Sequence, residues 1–286
     1  MTSFTFTFDG RDGAAVHVHA WTPDAPPRGL VQIAHGMGEH AARYAPLARD
    51  LTLRGYAVYA NDHRGHGRTM HAGPGVLGEG GWDLLVADVA ELSRQARDRH
   101  PGLPLVLLGH SLGSFAAQQY LLDHAELADA VALCGTTAVD QLVALLAEAG
   151  PEVRSAFNAP FQPARTEADW LSRDEEQVDR YLADPLCGFT LDGRGMGELA
   201  TAALTRLTEP AGIPADLPLY VLVGDADPLN HRLAFSDRLV ERYRKAGLDD
   251  ITYRAYPGAR HELFNETNRE EVVADLLAWL DRVSRR

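Results

Sequence analysis

The chain has 286 residues, 45% of them hydrophobic, a formal net charge of −13 and two cysteines. That length suits one large domain with an insertion, and the apolar fraction is ordinary for a folded globular protein. The acidic balance disfavours nucleic acid and anionic membranes as partners, since both need clustered Lys and Arg. It leaves neutral lipids open.

The elements follow in chain order. Residues 1–8 alternate polar and apolar, lacking the basic region and apolar run of a signal peptide, and no segment approaches the roughly 20 apolar residues that span a bilayer. A soluble cytoplasmic protein is expected. Phe4, Phe6 and Phe8 have the period of a half-buried strand, 9–13 form a turn, and 14–20 return, so the chain opens with an edge hairpin. Residues 30–34 form a short apolar strand running into His35-Gly36-Met37-Gly38. Tyr44, Leu47, Leu51 and Leu53 have helical spacing over 41–54. A strand at 56–60 precedes a loop at 61–67, a helix covers 82–99, and a strand at 105–108 enters Gly109. A helix at 112–124 and a strand at 131–134 follow. Strands alternating with helices of this length imply βαβ units, a parallel sheet and helices on both faces.

The rhythm fails at 138–216. Helical pieces at 141–149 and 196–207 stand among Pro151, Pro160, Pro163 and Pro185, with no convincing buried strand. The stretch is too long for a loop in a compact domain. It predicts a helical cap, 138–216, inserted in an α/β core of 1–137 and 217–286. The core resumes with a strand at 219–223, a helix at 233–246, a strand at 251–256 and a helix at 269–283. Cys134 and Cys187 have neither disulfide-framework nor metal-ligand spacing and are expected to be free thiols.

Gly109-His110-Ser111-Leu112-Gly113 fits the pattern of a serine held on a tight turn between a strand and a helix. The flanking glycines make room for neighbouring backbone. A hydroxyl needs a base to become a nucleophile. The order of this arrangement is Ser, then an acid, then His. His261, in the loop after the strand at 251–256, is the expected base. Gly224-Asp225-Ala226-Asp227 offers two carboxylates. Asp227, further round the turn, is the expected orienting acid, with Asp225 capping the turn. The tetrahedral oxyanion needs preorganised N–H donors, for which the amides of Leu112 and Met37 are candidates. The twelve histidines show neither HExxH nor finger spacing. Neither a metal nor a cofactor is expected.

Together these residues resemble the α/β-hydrolase superfamily, and more narrowly its monoacylglycerol lipase and lysophospholipase branch. The likeness rests on His35-Gly36-Met37-Gly38-Glu39-His40 with Arg43-Tyr44, on Asp62-His63-Arg64-Gly65-His66-Gly67, on the Ser111 pentapeptide, on Asp225-Ala226-Asp227, and on Gly258-Ala259-Arg260-His261. Ser114 stands where the branch usually has a second glycine, and Thr69 where it often has serine. The cap matches only in patches such as Asp184-Pro185-Leu186. The resemblance implies an eight-stranded, mostly parallel sheet with its second strand antiparallel, and a serine hydrolase cleaving monoacylglycerols, lysophospholipids or similar small acyl esters through an acyl-enzyme. Leu142, Leu145 and Leu146 are candidate walls of an apolar cleft, although core packing accounts for them equally well. Transient contact of the cap with a lipid interface is a further expectation. Three rivals remain: an aminopeptidase or amidase with the same triad, which needs acidic groups converging on the cleft; a non-catalytic ligand-binding protein on the same scaffold; and, as a lesser option, a cofactor-free haloperoxidase or C–C hydrolase.

Overall fold

The computed structural model describes residues 1–149 and 153–285. An eight-stranded sheet runs β1 (Thr2–Asp9), β2 (Ala15–Thr22), β4 (Tyr56–Asn61), β3 (Gly29–Ala34), β5 (Leu105–His110), β6 (Ala130–Cys134), β7 (Leu219–Gly224), β8 (Ile251–Tyr256) across its width. β2 is antiparallel to both of its neighbours, and every other pairing is parallel.

Strand side chains alternate between two cores, as the pleat dictates. Leu105, Leu107, Val131, Leu133, Leu219 and Val221 face one of them. There they meet helices α2 (Gly81–Arg99), α3 (Leu112–Asp123) and α8 (Ala234–Lys245). Val106, Leu108, Ala132, Tyr220 and Leu222 face the other, packed by α1 (Ala45–Leu53) and α9 (Arg269–Val283). Gln32 is a polar intruder in the first core. Its amide donates to Val89 O (2.7 Å) and its oxygen accepts from Ser93 Oγ (2.7 Å), so its burial leaves nothing unpaired.

Two local expectations need correction. Phe4 is 43% exposed and Phe6 half-buried under the Arg99 guanidinium; only Phe8 reaches the core. β1 is the edge of the sheet and pairs only with β2. The helix expected from residue 41 begins as a 3₁₀ turn, Ala41–Tyr44, and becomes α-helical only at Ala45. Pro46 requires this, because proline fits the first helical turn and not the interior.

Between β6 and β7 the described residues contain no strand. They form α4 (Val139–Ala149), α5 (Val153–Asn158), α6 (Glu175–Ala183) and α7 (Gly193–Thr205). α6 escaped the periodicity reading, yet Asp174 caps it by accepting the Glu176 and Gln177 amides. Cys134 and Cys187 are free thiols. Among the described residues no helix is long and apolar enough to cross a membrane.

Candidate active site

β5 runs straight into Ser111, and α3 begins at the next residue. Ser111 has φ 51° and ψ −120°, a strained conformation for a side-chain-bearing residue. Its backbone is held from both sides. Ser111 N donates to Cys134 O (3.0 Å), and the amides of Ser114 and Phe115 both donate to Ser111 O (2.8 and 3.1 Å). Steric limits explain the glycines. A Cβ on Gly113 would collide with the Ala34 carbonyl, and one on Gly109 would sit 2.5 Å from Gly113 O. Ser114 is small enough for the same packing, and its hydroxyl donates back to Ser111 O (2.6 Å). The outcome is a partly exposed hydroxyl at the carboxyl end of the sheet.

Asp227 follows β7 and caps the 3₁₀ turn Pro228–Asn230, its Oδ1 accepting Leu229 N (2.9 Å). Its Oδ2 accepts the Nδ1–H of His261 at 2.8 Å. Both residues are almost wholly buried. Asp225 points elsewhere and accepts the Gly258 amide (2.6 Å), tying the β7 turn to the histidine loop. Burial works to lower the basicity of His261. The carboxylates of Asp227, Glu262 and Glu39 outweigh it, so His261 titrates above the usual imidazole value of 6.5. The ring of His110 lies 4.9 Å from that of His261. Burial, with His261 beside it, pushes His110 down to about 4, so it is neutral at working pH.

The segment after β3 is fixed by a buried ionic group. Gly36 N and Tyr44 OH both donate to Glu39 Oε1 (2.5 and 2.8 Å). Arg43 donates to Glu39 Oε2 (2.6 Å) and takes Glu262 in a two-point grip (2.8 Å each). The loop after β3 and the loop that carries His261 are therefore joined through one guanidinium. A Cβ on Gly36 would lie 3.2 Å from the Ser111 Cβ, so this segment passes directly beside Ser111. Met37 is half-buried in the segment, and Leu112 is fully buried in the first turn of α3, where amides lack intrahelical acceptors. Behind it, His35 Nε2 accepts from His63 N (2.9 Å) and His35 Nδ1 donates to Gly36 O (2.8 Å). Burial, with His63 and His66 close by, holds His35 far below the ordinary imidazole range. These histidines are neutral props of the loop, with His35's ring nitrogens both spent on backbone.

The profile of the family described as "Serine aminopeptidase, S33" matches residues 25–268. The chain belongs to this family. It is 33% identical to a monoacylglycerol lipase of Mycolicibacterium smegmatis, over 96% of this chain and 95% of that one. Among solved structures it is similar to a lipase in its open form, with 26% identity, a TM-score of 0.86 and full coverage of both chains. It is likewise similar to a thermostable carboxyl esterase of Bacillus coagulans in complex with glycerol, with 27% identity, a TM-score of 0.84 and 99% coverage of each. The fold of this S33-family chain is the α/β-hydrolase fold.

In this S33-family chain the 138–216 segment grips both active-site loops. Gly188 N donates to Gly38 O (3.0 Å), and Glu262 N to Leu171 O (2.7 Å). Arg260 donates to the carbonyls of Asp169 and Ser172. The Trp170 ring lies 5.1 Å from that of His261 and 5.2 Å from that of Phe157. Leu142 is part of the main core, Leu146 packs against it, and Leu145 is half-buried beside them. The sequence reading missed Trp170, which carries no motif, and gave Glu39, Arg43 and Glu262 no role. The spacing of two acids and an arginine across 220 residues leaves no local signal. Among the described residues two clusters have metal-ligating composition, His17–His19–Asp62 and His40–Asp184–Cys187.

Proposed function

We propose that this chain is a carboxylic ester hydrolase acting through an acyl-enzyme on Ser111, with monoacylglycerols and similar small acyl esters as substrates. The buried Asp227–His261 hydrogen bond at 2.8 Å, together with the strained turn that carries Ser111 at the end of β5, is the observation that supports this reading. Asp227 fixes the His261 tautomer with the proton on Nδ1, leaving Nε2 as base. His261 Nε2 takes the Ser111 proton as Oγ attacks the ester carbonyl. The amides of Leu112 and Met37 receive the oxyanion. Collapse passes the proton from His261 to the leaving alcohol, and water repeats the sequence on the acyl-enzyme. In this reading the Ser111–His261 hydrogen bond forms when substrate is bound.

Residues 138–216 serve as the cap, and the aromatic pair Phe157–Trp170 with Leu145 and Leu146 forms the acyl side of the cleft. Their apolar character suits an acyl chain better than a peptide. An aminopeptidase would need unpaired carboxylates for the substrate amine. Asp227 is spent on His261, and Glu39 and Glu262, the other carboxylates that act on His261, are spent on Arg43.

The test pairs labelling with profiling. A fluorophosphonate should label the wild type and not Ser111→Ala, and kcat for p-nitrophenyl esters should fall at least about 10⁴-fold in that variant. Monoacylglycerol should turn over faster than lysophospholipid or amino-acid anilides. Equal labelling of both proteins would remove Ser111 as nucleophile, and a preference for anilides would restore the aminopeptidase reading.

A further inference from the structure

We propose that His17, His19 and Asp62 form a binding site for a divalent transition-metal ion, with Zn²⁺ the best match. The residues lie outside the acyl-transfer group and come from two paired strands. His17 and His19 are two apart on β2, so the pleat projects both rings to one face. Asp62 immediately follows β4, and its amide donates to His17 O (2.9 Å), which brings it level with that pair. One ligand atom from each residue lies within 4.8 Å of the others. His19 Nε2 is 3.8 Å from Asp62 Oδ2, and the two imidazole rings meet edge-on at 4.8 Å.

Three features fit a metal better than a simple ion pair. First, His17 is buried, and its Nε2 has no hydrogen-bond partner, which is rare for a buried polar atom without a ligand. Second, the Asp62 carboxylate is pre-oriented. Its Oδ1 accepts Ala41 N (2.9 Å) and its Oδ2 accepts Arg68 N (2.8 Å). A carboxylate has about four acceptor directions, so capacity remains for an ion, and the amides act as the outer support that metal ligands need. Third, two imidazoles and one carboxylate suit Zn²⁺ and disfavour Mg²⁺ or Ca²⁺, which prefer all-oxygen shells. Tetrahedral Zn²⁺ with bonds of about 2.0–2.1 Å spaces its ligands about 3.3 Å apart, so the group contracts modestly on loading. Entry is past His19, whose side chain is 15% exposed.

The second cluster makes a useful control. In it His40 Nε2 already pairs with Asp184 Oδ2 at 2.9 Å. A loaded first site would pin β2 to the loop at 62–67, whose His63 amide holds His35 in the oxyanion segment.

The experiment titrates chelator-treated full-length protein with Co²⁺ alone and then adds Zn²⁺. One equivalent should bind with the visible absorption of imidazole-ligated Co²⁺, and Zn²⁺ should displace it. Co²⁺ should also quench Trp21, which stacks on His19. His17→Asn and the milder His19→Gln should each weaken binding at least about 100-fold, and His40→Gln should leave it unchanged. Unaltered metal-free ester hydrolysis by His19→Gln would show that it folds. The proposal is overturned if the wild type binds no stoichiometric metal. It is equally overturned if both β2 variants bind as tightly as wild type, or if His40→Gln abolishes binding.

Discussion

The pairing of Asp227 with His261 sets how activity should depend on pH. His261 must be neutral to take the Ser111 proton, and it titrates above 6.5 because the neighbouring carboxylates outweigh its burial. Thus kcat/KM should rise with pH through a limb centred above 6.5. Asp227→Asn removes the largest favourable charge and leaves burial opposed only by Glu262 and Glu39. The limb should move to lower pH while kcat falls about 10⁴-fold, since the tautomer is no longer fixed. A pH–rate profile of both proteins checks this, and a limb that stays in place would mean that Asp227 does not face the base. Ser111 shows strain at the same scale. Its unusual backbone is tolerated because two α3 amides and the Cys134 carbonyl hold it, so the cost is met by the elements on either side.

At the scale of elements, Arg43 decides how the turn before α1 sits against the loop after β8. Its side chain is only 11% exposed and is shared by Glu39 and Glu262. Replacing one partner of a buried pair leaves an uncompensated charge. Arg43→Met should therefore cost about 3–5 kcal/mol in denaturant unfolding. Activity should fall as well, because the oxyanion segment loses its tie to the histidine loop. Linkage gives a second measurement. Although burial raises the Glu262 carboxyl, Arg43 outweighs it and holds the group at about 2, against 4.5 for a free glutamate. A depressed carboxylate contributes its stability above the unfolded value and loses it as pH falls toward the folded one. Unfolding free energy should therefore drop between about pH 5 and pH 2, and Glu262→Gln should flatten that drop. The joint between α2 and the loop after β4 has similar design. Arg64 bonds Asp88 of α2 and Asp12 of the β1–β2 turn, which holds the histidine-rich loop down on the sheet.

At the scale of the whole molecule, the proposed function makes predictions about charge and about residues 138–216. A net charge of −13 repels anionic surfaces over about a Debye length, roughly 8 Å at physiological salt. Monoacylglycerol in neutral micelles should be hydrolysed faster than the same substrate in micelles doped with an anionic lipid. Salt should close that gap, and rates insensitive to both would show that the enzyme does not work at the surface. The cap makes its own prediction. Leu145→Trp should shorten the preferred p-nitrophenyl ester by narrowing the acyl side of the cleft, with little change for acetate. An unchanged chain-length profile would place Leu145 outside the cleft.

The order of elements was legible from the sequence because each core strand is a short apolar run and each helix repeats at its own period. From β3 through β6 every strand and helix boundary but one falls within two residues of the pattern; the exception, the start near residue 41, follows from Pro46. The turn at Ser111 was legible because tight backbone restricts residue type locally: Gly113 cannot carry a Cβ against the Ala34 carbonyl. The pairing of Asp227 with His261 was legible from their places in the loops after the last two strands. The Arg43 group, Trp170 over His261, and the His17–His19–Asp62 cluster were not legible. Each joins residues from separate elements, and no spacing along the chain encodes how β2 meets β4 or how the cap lies on the loops. The sequence by itself determined which residues stand at the ends of the strands, since backbone sterics and side-chain period act over a few neighbours. Only the tertiary structure decided which of those residues share a charge, a proton or a cleft, because burial and Coulomb attraction depend on distance in space.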